Sequence, residues 1–157
     1  AQAIVSALSD PVWDVQQKAV EALVNLSVSS EDPAVIQWFV PALNDPNPAM
    51  RALIANALGR CRNIYALEAL IQTLHDPSPD VRVRAVESLW GLRDVRAVQP
   101  LITLLSDNAK TQNDFRVSSF VKLALESIDT PEAREALSQY KIKLPPKKRF
   151  RRWWSRE

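Results

Sequence analysis

Glycine is almost missing from this chain: 157 residues contain two, Gly59 and Gly91, against eleven prolines. So few glycines argue against the glycine-rich loops that cradle nucleotide phosphates, while the prolines suit helices separated by sharp turns. Cysteine and histidine are as scarce. The single Cys61 excludes an intramolecular disulfide and a cysteine-rich zinc site, and fits a reducing compartment. His75 is the one histidine, at the predicted end of a helix, where an imidazole satisfies end carbonyls. A metal would need companions that His75 lacks, and general-base work a nearby nucleophile. No run of about 18 apolar residues occurs, so no segment reads as a bilayer span. The expectation is therefore a cytoplasmic, non-enzymatic protein with no cofactor, no metal and no catalytic residues.

What the chain does have is periodicity. Leu67, Leu70, Ile71 and Leu74 sit at the spacing of one helical face, and Val98, Leu101, Ile102 and Leu105 repeat it 31 residues on. The same face recurs at Ile36, Phe39, Val40 and Leu43, and again at Ala1, Ile4, Val5 and Leu8. Second helices follow the same rule. Val81, Ala85, Val86, Leu89 and Leu92 match Met50, Ile54, Ala55, Leu58 and Cys61, and before them Val15, Ala19, Val20, Leu23 and Leu26. Two-helix units at this period predict an all-α solenoid. The expected layout is four helix pairs near 1–27, 33–62, 64–93 and 94–128, a capping helix over 130–140, and a tail over 141–157.

Asn47-Pro48 and Ser78-Pro79 place a capping side chain before a proline at the first helical position, and Asp32-Pro33 and Thr130-Pro131 start helices by the same logic. The regularity breaks at Val28–Asp32 and at Asn108–Asn113, where the last turn has gained residues. The chain begins at Ala1, without Met and already in a helical pattern, so a processed or truncated start with repeats upstream is expected.

Three stretches carry a family likeness: Asp45-Pro46 followed by Arg51, Asp76-Pro77 followed by Val81-Arg82, and Asp94-Val95-Arg96-Ala97-Val98-Gln99-Pro100-Leu101-Ile102. They resemble the HEAT repeats, and more narrowly the HEAT-like repeats of the phycobilisome lyase type, over about residues 1–128. The resemblance implies that Asp45, Arg51, Asp76 and Arg82 pair within and between neighbouring repeats as structural staples. A planar guanidinium suits that task, because it bridges carbonyls and carboxylates at stacked turns. Gln16 departs from the pattern where the first repeat should carry its arginine.

In HEAT arrays the second helices line the concave surface. At about 100° per residue, the positions opposite the buried stripe are Val83, Arg84, Glu87, Trp90 and Gly91 in the third repeat. Their equivalents in the second are Ala52, Leu53, Asn56, Gly59 and Arg60. Leu53, Val83 and Trp90 are apolar where a purely solvated face would be polar, so Leu53, Asn56, Arg60, Val83, Arg84, Glu87 and Trp90 are the expected partner-binding groove. Trp13 and Trp38 fall off the stripe. Trp13 is expected to pack against a terminal neighbour rather than a ligand, and Cys61 to behave as a small buried hydrophobe.

Charge is split. Residues 1–140 carry a net −5 and residues 141–157 a net +7. In that tail Lys147, Lys148, Arg149, Phe150, Arg151, Arg152, Trp153 and Trp154 interleave cations with aromatics, a composition that serves an acidic apolar protein surface, an anionic membrane surface or nucleic acid. The favoured reading is a scaffold or adaptor whose groove holds one protein partner and whose tail anchors it to a larger assembly. For the tail alone, peripheral attachment to a membrane comes second. The family resemblance adds an alternative, a phycobiliprotein lyase-like subunit or a phycobilisome maturation or turnover factor. HEAT-like DNA glycosylases use a basic groove, which an acidic body does not provide, so nucleic acid ranks last.

Overall fold

Proline opens three of the eight α-helices among the described residues. The computed structural model describes residues 2–30, 33–61 and 64–140, and within them the chain is helical. The helices are α1 (Gln2–Ala7), α2 (Trp13–Ser30), α3 (Pro48–Cys61), α4 (Ile64–Thr73), α5 (Pro79–Leu92), α6 (Val98–Thr103), α7 (Val117–Ile128) and α8 (Pro131–Gln139). Pro48, Pro79 and Pro131 occupy first helical positions, where a missing N–H costs nothing. Asn47 Oδ1 accepts the Ala49 N–H at 3.0 Å, and Thr130 Oγ1 accepts the Ala133 N–H at 3.2 Å. Ser78 holds the N-cap position of α5, but its hydroxyl makes no capping bond.

The expected first helix over 33–43 is instead two 3₁₀ segments, Pro33–Trp38 and Val40–Asn44. Pro41 explains the break, since it removes a helical N–H and its ring collides with the carbonyl four residues back. The tighter 3₁₀ winding also turns Val40 outward, 43% exposed, while Ile36 and Phe39 stay buried. Val15, too, lies more exposed than its place on the stripe implied. The first helix of the fourth pair likewise opens as a 3₁₀ turn, Val95–Ala97, before α6.

The pairs stack through their second helices, α2 on α3, α3 on α5 and α5 on α7, and the first helices pack beneath them. The architecture is an α-solenoid with one continuous core. Leu23, Phe39, Met50, Ile54, Leu58, Leu70, Leu74, Leu89, Leu101, Leu105 and Leu125 are all fully buried within it. The α3–α5 seam leaves no room for a side chain at Gly59, where an added Cβ would stand 2.6 Å from Ser88 Cβ. Ser88 Oγ donates to the Ala55 carbonyl across that seam at 2.9 Å. Cys61 plays a comparable part between α2 and α3. It is buried, its thiol accepts from Ser27 Oγ at 2.9 Å and donates to the Ala57 carbonyl, and burial pushes its pKa up.

Candidate functional site: a groove along the second helices

The turn joining the two helices of each pair is built on an aspartate. Asp10, Asp45, Asp76 and Asp107 each accept the backbone N–H two residues on, at 2.7–3.0 Å. This Asx turn fixes where the second helix begins, and at Asp76 and Asp107 it presents the carboxylate to an arginine of the preceding repeat. Arg51 meets Asp76 with two parallel bonds, Nε to Oδ2 at 2.7 Å and Nη2 to Oδ1 at 2.9 Å, while its Nη1 donates to the Asp45 and Pro46 carbonyls. Arg82 repeats the arrangement one pair on, reaching Asp107 at 2.8 Å and the Asp76 and Pro77 carbonyls. Burial alone would raise the Asp76 carboxyl, but the Arg51 guanidinium, the Ser78 N–H and the charge of Arg82 together outweigh it and hold the pKa below the ordinary carboxylate value. At the ends the ladder changes. Gln16 supplies no guanidinium, and among the described residues no ion pair joins α2 to Asp45; Arg116 instead bonds Asn108 Oδ1.

Beside this edge, the first turns of the second helices enclose a groove of about 660 Å³. Ala49 and Ala52 leave the room, and Leu53 and Asn56 of α3 line it with Val83 and Arg84 of α5. Trp13 and Gln17 of α2 flank one side. The opposite side was not foreseen from sequence: it is the irregular turn after α6, contributing Thr111, Gln112, Asn113 and Phe115, with Phe120 of α7 behind it. Asp76 lies five residues before Val81, whereas Asp107 lies ten before Val117, and the extra length folds into a compact wall. The Thr111 N–H donates to the Phe115 carbonyl, the Phe115 N–H to Thr111 Oγ1, and Asp114 takes a left-handed conformation at φ 65°. The Phe115 ring meets Phe120 edge to face at 6.1 Å, and the Gln112 N–H donates to the Asp80 carboxylate. A lengthened turn carrying a phenylalanine beside a helix start was the available signal.

Of the seven expected groove residues, Leu53, Asn56, Val83 and Arg84 line it, and Arg60, Glu87 and Trp90 do not. Val83 is a floor residue, 2% exposed, rather than an open one, and Glu87 is buried at 8%. Both lie on a helix flanked by α3 and α7, so the strip left to solvent is narrower than the helical period alone suggests. Trp90 is half-buried against the core, and Arg60 is exposed away from the groove. Trp13, expected to pack against a missing or terminal neighbour, is 36% exposed and lines the groove. Glu87 receives Arg84 Nη1 on Oε2 at 3.2 Å, and burial, only partly offset by that guanidinium, pushes its pKa up to about 7. His75 is exposed just past α4. The tail residues Lys147, Lys148, Arg149, Phe150, Arg151, Arg152, Trp153 and Trp154 lie outside the described residues. Among the described residues no group of three His, Cys, Asp or Glu side chains converges as a metal site would need, and no helix is long and apolar enough to cross a membrane.

Comparison with known proteins agrees with this architecture. Human deoxyhypusine hydroxylase superposes with a TM-score of 0.68 at 24% identity, over 92% of this chain and 47% of that one. The complex of CpcE and CpcF of phycocyanin lyase from Nostoc gives 0.64 at 21%, over 88% and 62%. An engineered protein gives 0.58 at 18%, over 87% and 66%. The chain thus spans about half to two thirds of the solved chains it matches, and at these identities the likeness is one of fold. A search of curated protein sequences found no match. The family profile for HEAT repeats matches residues 1–70 and 67–152. With that profile running across the stacked pairs and the interlocked turns that join them, the chain belongs to the HEAT-repeat family.

Proposed function

We propose that the chain is a non-catalytic adaptor that seats a segment of a partner protein in the groove between Trp13 and Phe115. The groove itself carries this reading. Its volume is that of a site taking a few side chains, and Trp13, Leu53, Val83, Phe115 and Phe120 give it apolar walls. Gln17, Asn56, Gln112 and Asn113 supply amides around those walls to meet a backbone. Aromatic and aliphatic anchors framed by polar groups are the composition of protein-binding hot spots. The family supports it as well, since HEAT arrays are binding scaffolds and the phycocyanin lyase neighbour is itself a complex. The tail, with its net +7, adds a second contact to an anionic surface of the same assembly.

Trp13→Ala combined with Leu53→Ser tests the groove, because Trp13 is exposed and Leu53, at the edge of the core, is only half-buried. Recovery of partners by affinity purification should fall about tenfold, a loss of about 1.4 kcal/mol, with the circular dichroism spectrum unchanged. Undiminished recovery would refute the groove.

A further inference from the structure

The groove and the start of the tail lie at one end of the stack. Only Asp129 and Thr130 separate α7 from α8, and α8 packs back against α7 and α6. So short a link makes an antiparallel helix hairpin. α8 therefore finishes at the end where α6 finishes and α7 starts, which is the end that carries the Thr111–Phe115 wall. Tyr140, at the C-cap of α8 and 38% exposed, hands the chain on there. The groove crosses α7, α5, α3 and α2, three interhelical steps or about 30 Å. At about 3.3 Å per residue the chain from Tyr140 to Trp154 reaches about 46 Å, enough to bring Trp153 and Trp154 to the Trp13 side.

The two surfaces also match in chemistry. Leu144-Pro145-Pro146, Phe150 and Trp153-Trp154 place apolar groups at three points of the tail, with Lys147, Lys148, Arg149, Arg151 and Arg152 between them. The groove offers Phe115 and Phe120 on the near side, Leu53 and Val83 on its floor and Trp13 on the far side. Asp14 follows Trp13 and Asp10 precedes it by three residues, and among the described residues neither is in an ion pair. Asp80 and Arg84 put one formal charge of each sign inside, so the groove itself does not repel a basic segment. The net −5 of residues 1–140 faces the tail's +7, but attraction between exposed charges fades beyond about 8 Å in physiological salt. Each tryptophan, by contrast, has on the order of 150–250 Å² to take out of water. The aromatics therefore choose the groove, and the charges only hold the tail near it.

We propose that residues 141–157 occupy the groove of their own chain, Leu144-Pro145-Pro146 by Phe115 and Trp153-Trp154 by Trp13, until a partner's segment displaces them. This rests on the groove being the binding surface and adds its regulation. A tethered segment competes at an effective concentration on the order of millimolar, so a weak contact fills the groove at rest. A partner that takes the groove frees the tail cations for the anionic surface of the assembly. Each of the two contacts thereby favours the other.

The full chain with Ser155→Cys carrying a nitroxide tests this by nuclear magnetic resonance, since Cys61 is buried with its pKa raised and stays unlabelled. The Trp13 indole and Gln17 amide signals should be lost to broadening, and Trp13→Ala with Leu53→Ser should restore the Gln17 signal. Broadening confined to α8, or unmoved by those substitutions, overturns the proposal. Mixing nitroxide-bearing and isotope-enriched copies separates a chain's own tail from a neighbour's, and broadening between copies overturns occupation in cis. A free peptide of residues 141–157 gives a second measurement. The full chain with Phe150→Ala, Trp153→Ala and Trp154→Ala, which keeps every tail cation, should bind that peptide about tenfold tighter than the wild type does. Equal affinity, or equal binding of a scrambled peptide of the same composition, overturns it. Absent broadening, with partner recovery still lowered by the groove substitutions, would remove the self-docked tail and leave the adaptor; broadening with undiminished recovery would do the reverse.

Discussion

At Gly59 the absence of a side chain sets how closely α3 and α5 approach. Ser88 Cβ and Oγ both lie 2.6 Å from where a Cβ would stand, so Gly59→Ala forces the two helices apart. A loss of about 1–3 kcal/mol is expected by urea denaturation, despite the better helix propensity of alanine. Glu87 acts through protons. Its pKa stands raised, about 7 when folded against an ordinary 4.5, so the folded state binds more protons between those values. Stability from this group is therefore complete below about pH 4.5 and is lost as pH rises through about 7, at a cost on the order of 3 kcal/mol. Glu87→Gln should remove most of that slope, gaining on the wild type between pH 5 and 8 in paired urea melts; parallel slopes would contradict it. Neither residue was legible as such. The helical period put Gly59 and Glu87 on an open face, but period describes one helix, and a helix with neighbours on both flanks keeps only a thin open strip.

The helix pairs were legible because their punctuation is chemical as well as periodic. Asp76-Pro77 and Arg82 could be read as a turn and its staple from their recurrence 31 residues after Asp45-Pro46 and Arg51. The 3₁₀ segments of the second pair were hidden, because Ile36 and Phe39 keep the stripe at either pitch and only Pro41 marks the change. Helix ends were hidden too: with so little glycine, α5 and α7 finish on Arg93 and Asp129 in left-handed conformations, φ 50° and 53°, and neither residue advertises a stop. The Arg51–Asp76 pair is the element-scale test. Both side chains are nearly buried, at 12% and 8% exposure, so Arg51→Ala leaves a carboxylate without its counter-charge. A loss of about 3–5 kcal/mol is expected, against well under 1 kcal/mol for the exposed Arg116→Ala, measured by chemical denaturation. Because Arg51 holds Asp76 below its ordinary pKa, this contribution is present at neutral pH and disappears as pH falls through the folded-state value.

Across the whole molecule, regularity and individuality occupy different places. The middle pairs follow the family pattern, whereas the groove draws its aromatic flanks from the two irregular ends, Trp13 at the start of α2 and the long turn before α7. Periodicity reveals the repeated part and is silent about an insertion, which is why the wall at Thr111–Phe115 had to be seen in three dimensions. Excising residues 110–114 restores the spacing of the third repeat between Asp107 and Val117. Helix content by circular dichroism should persist, while partner recovery falls about as far as with the groove substitutions, about tenfold. Full recovery would show that the wall is dispensable.

The staples have a mechanical consequence. Arg51–Asp76 and Arg82–Asp107 run along one edge of the stack and resist lengthening there, while the seams elsewhere rest on apolar packing with single hydrogen bonds such as Ser88 to Ala55 and Ser27 to Cys61. A beam with one inextensible edge bends about that edge, and strain grows with distance from it. The groove sits alongside, in the first turns of the second helices. Bending about that edge would therefore leave the width of the groove nearly unchanged.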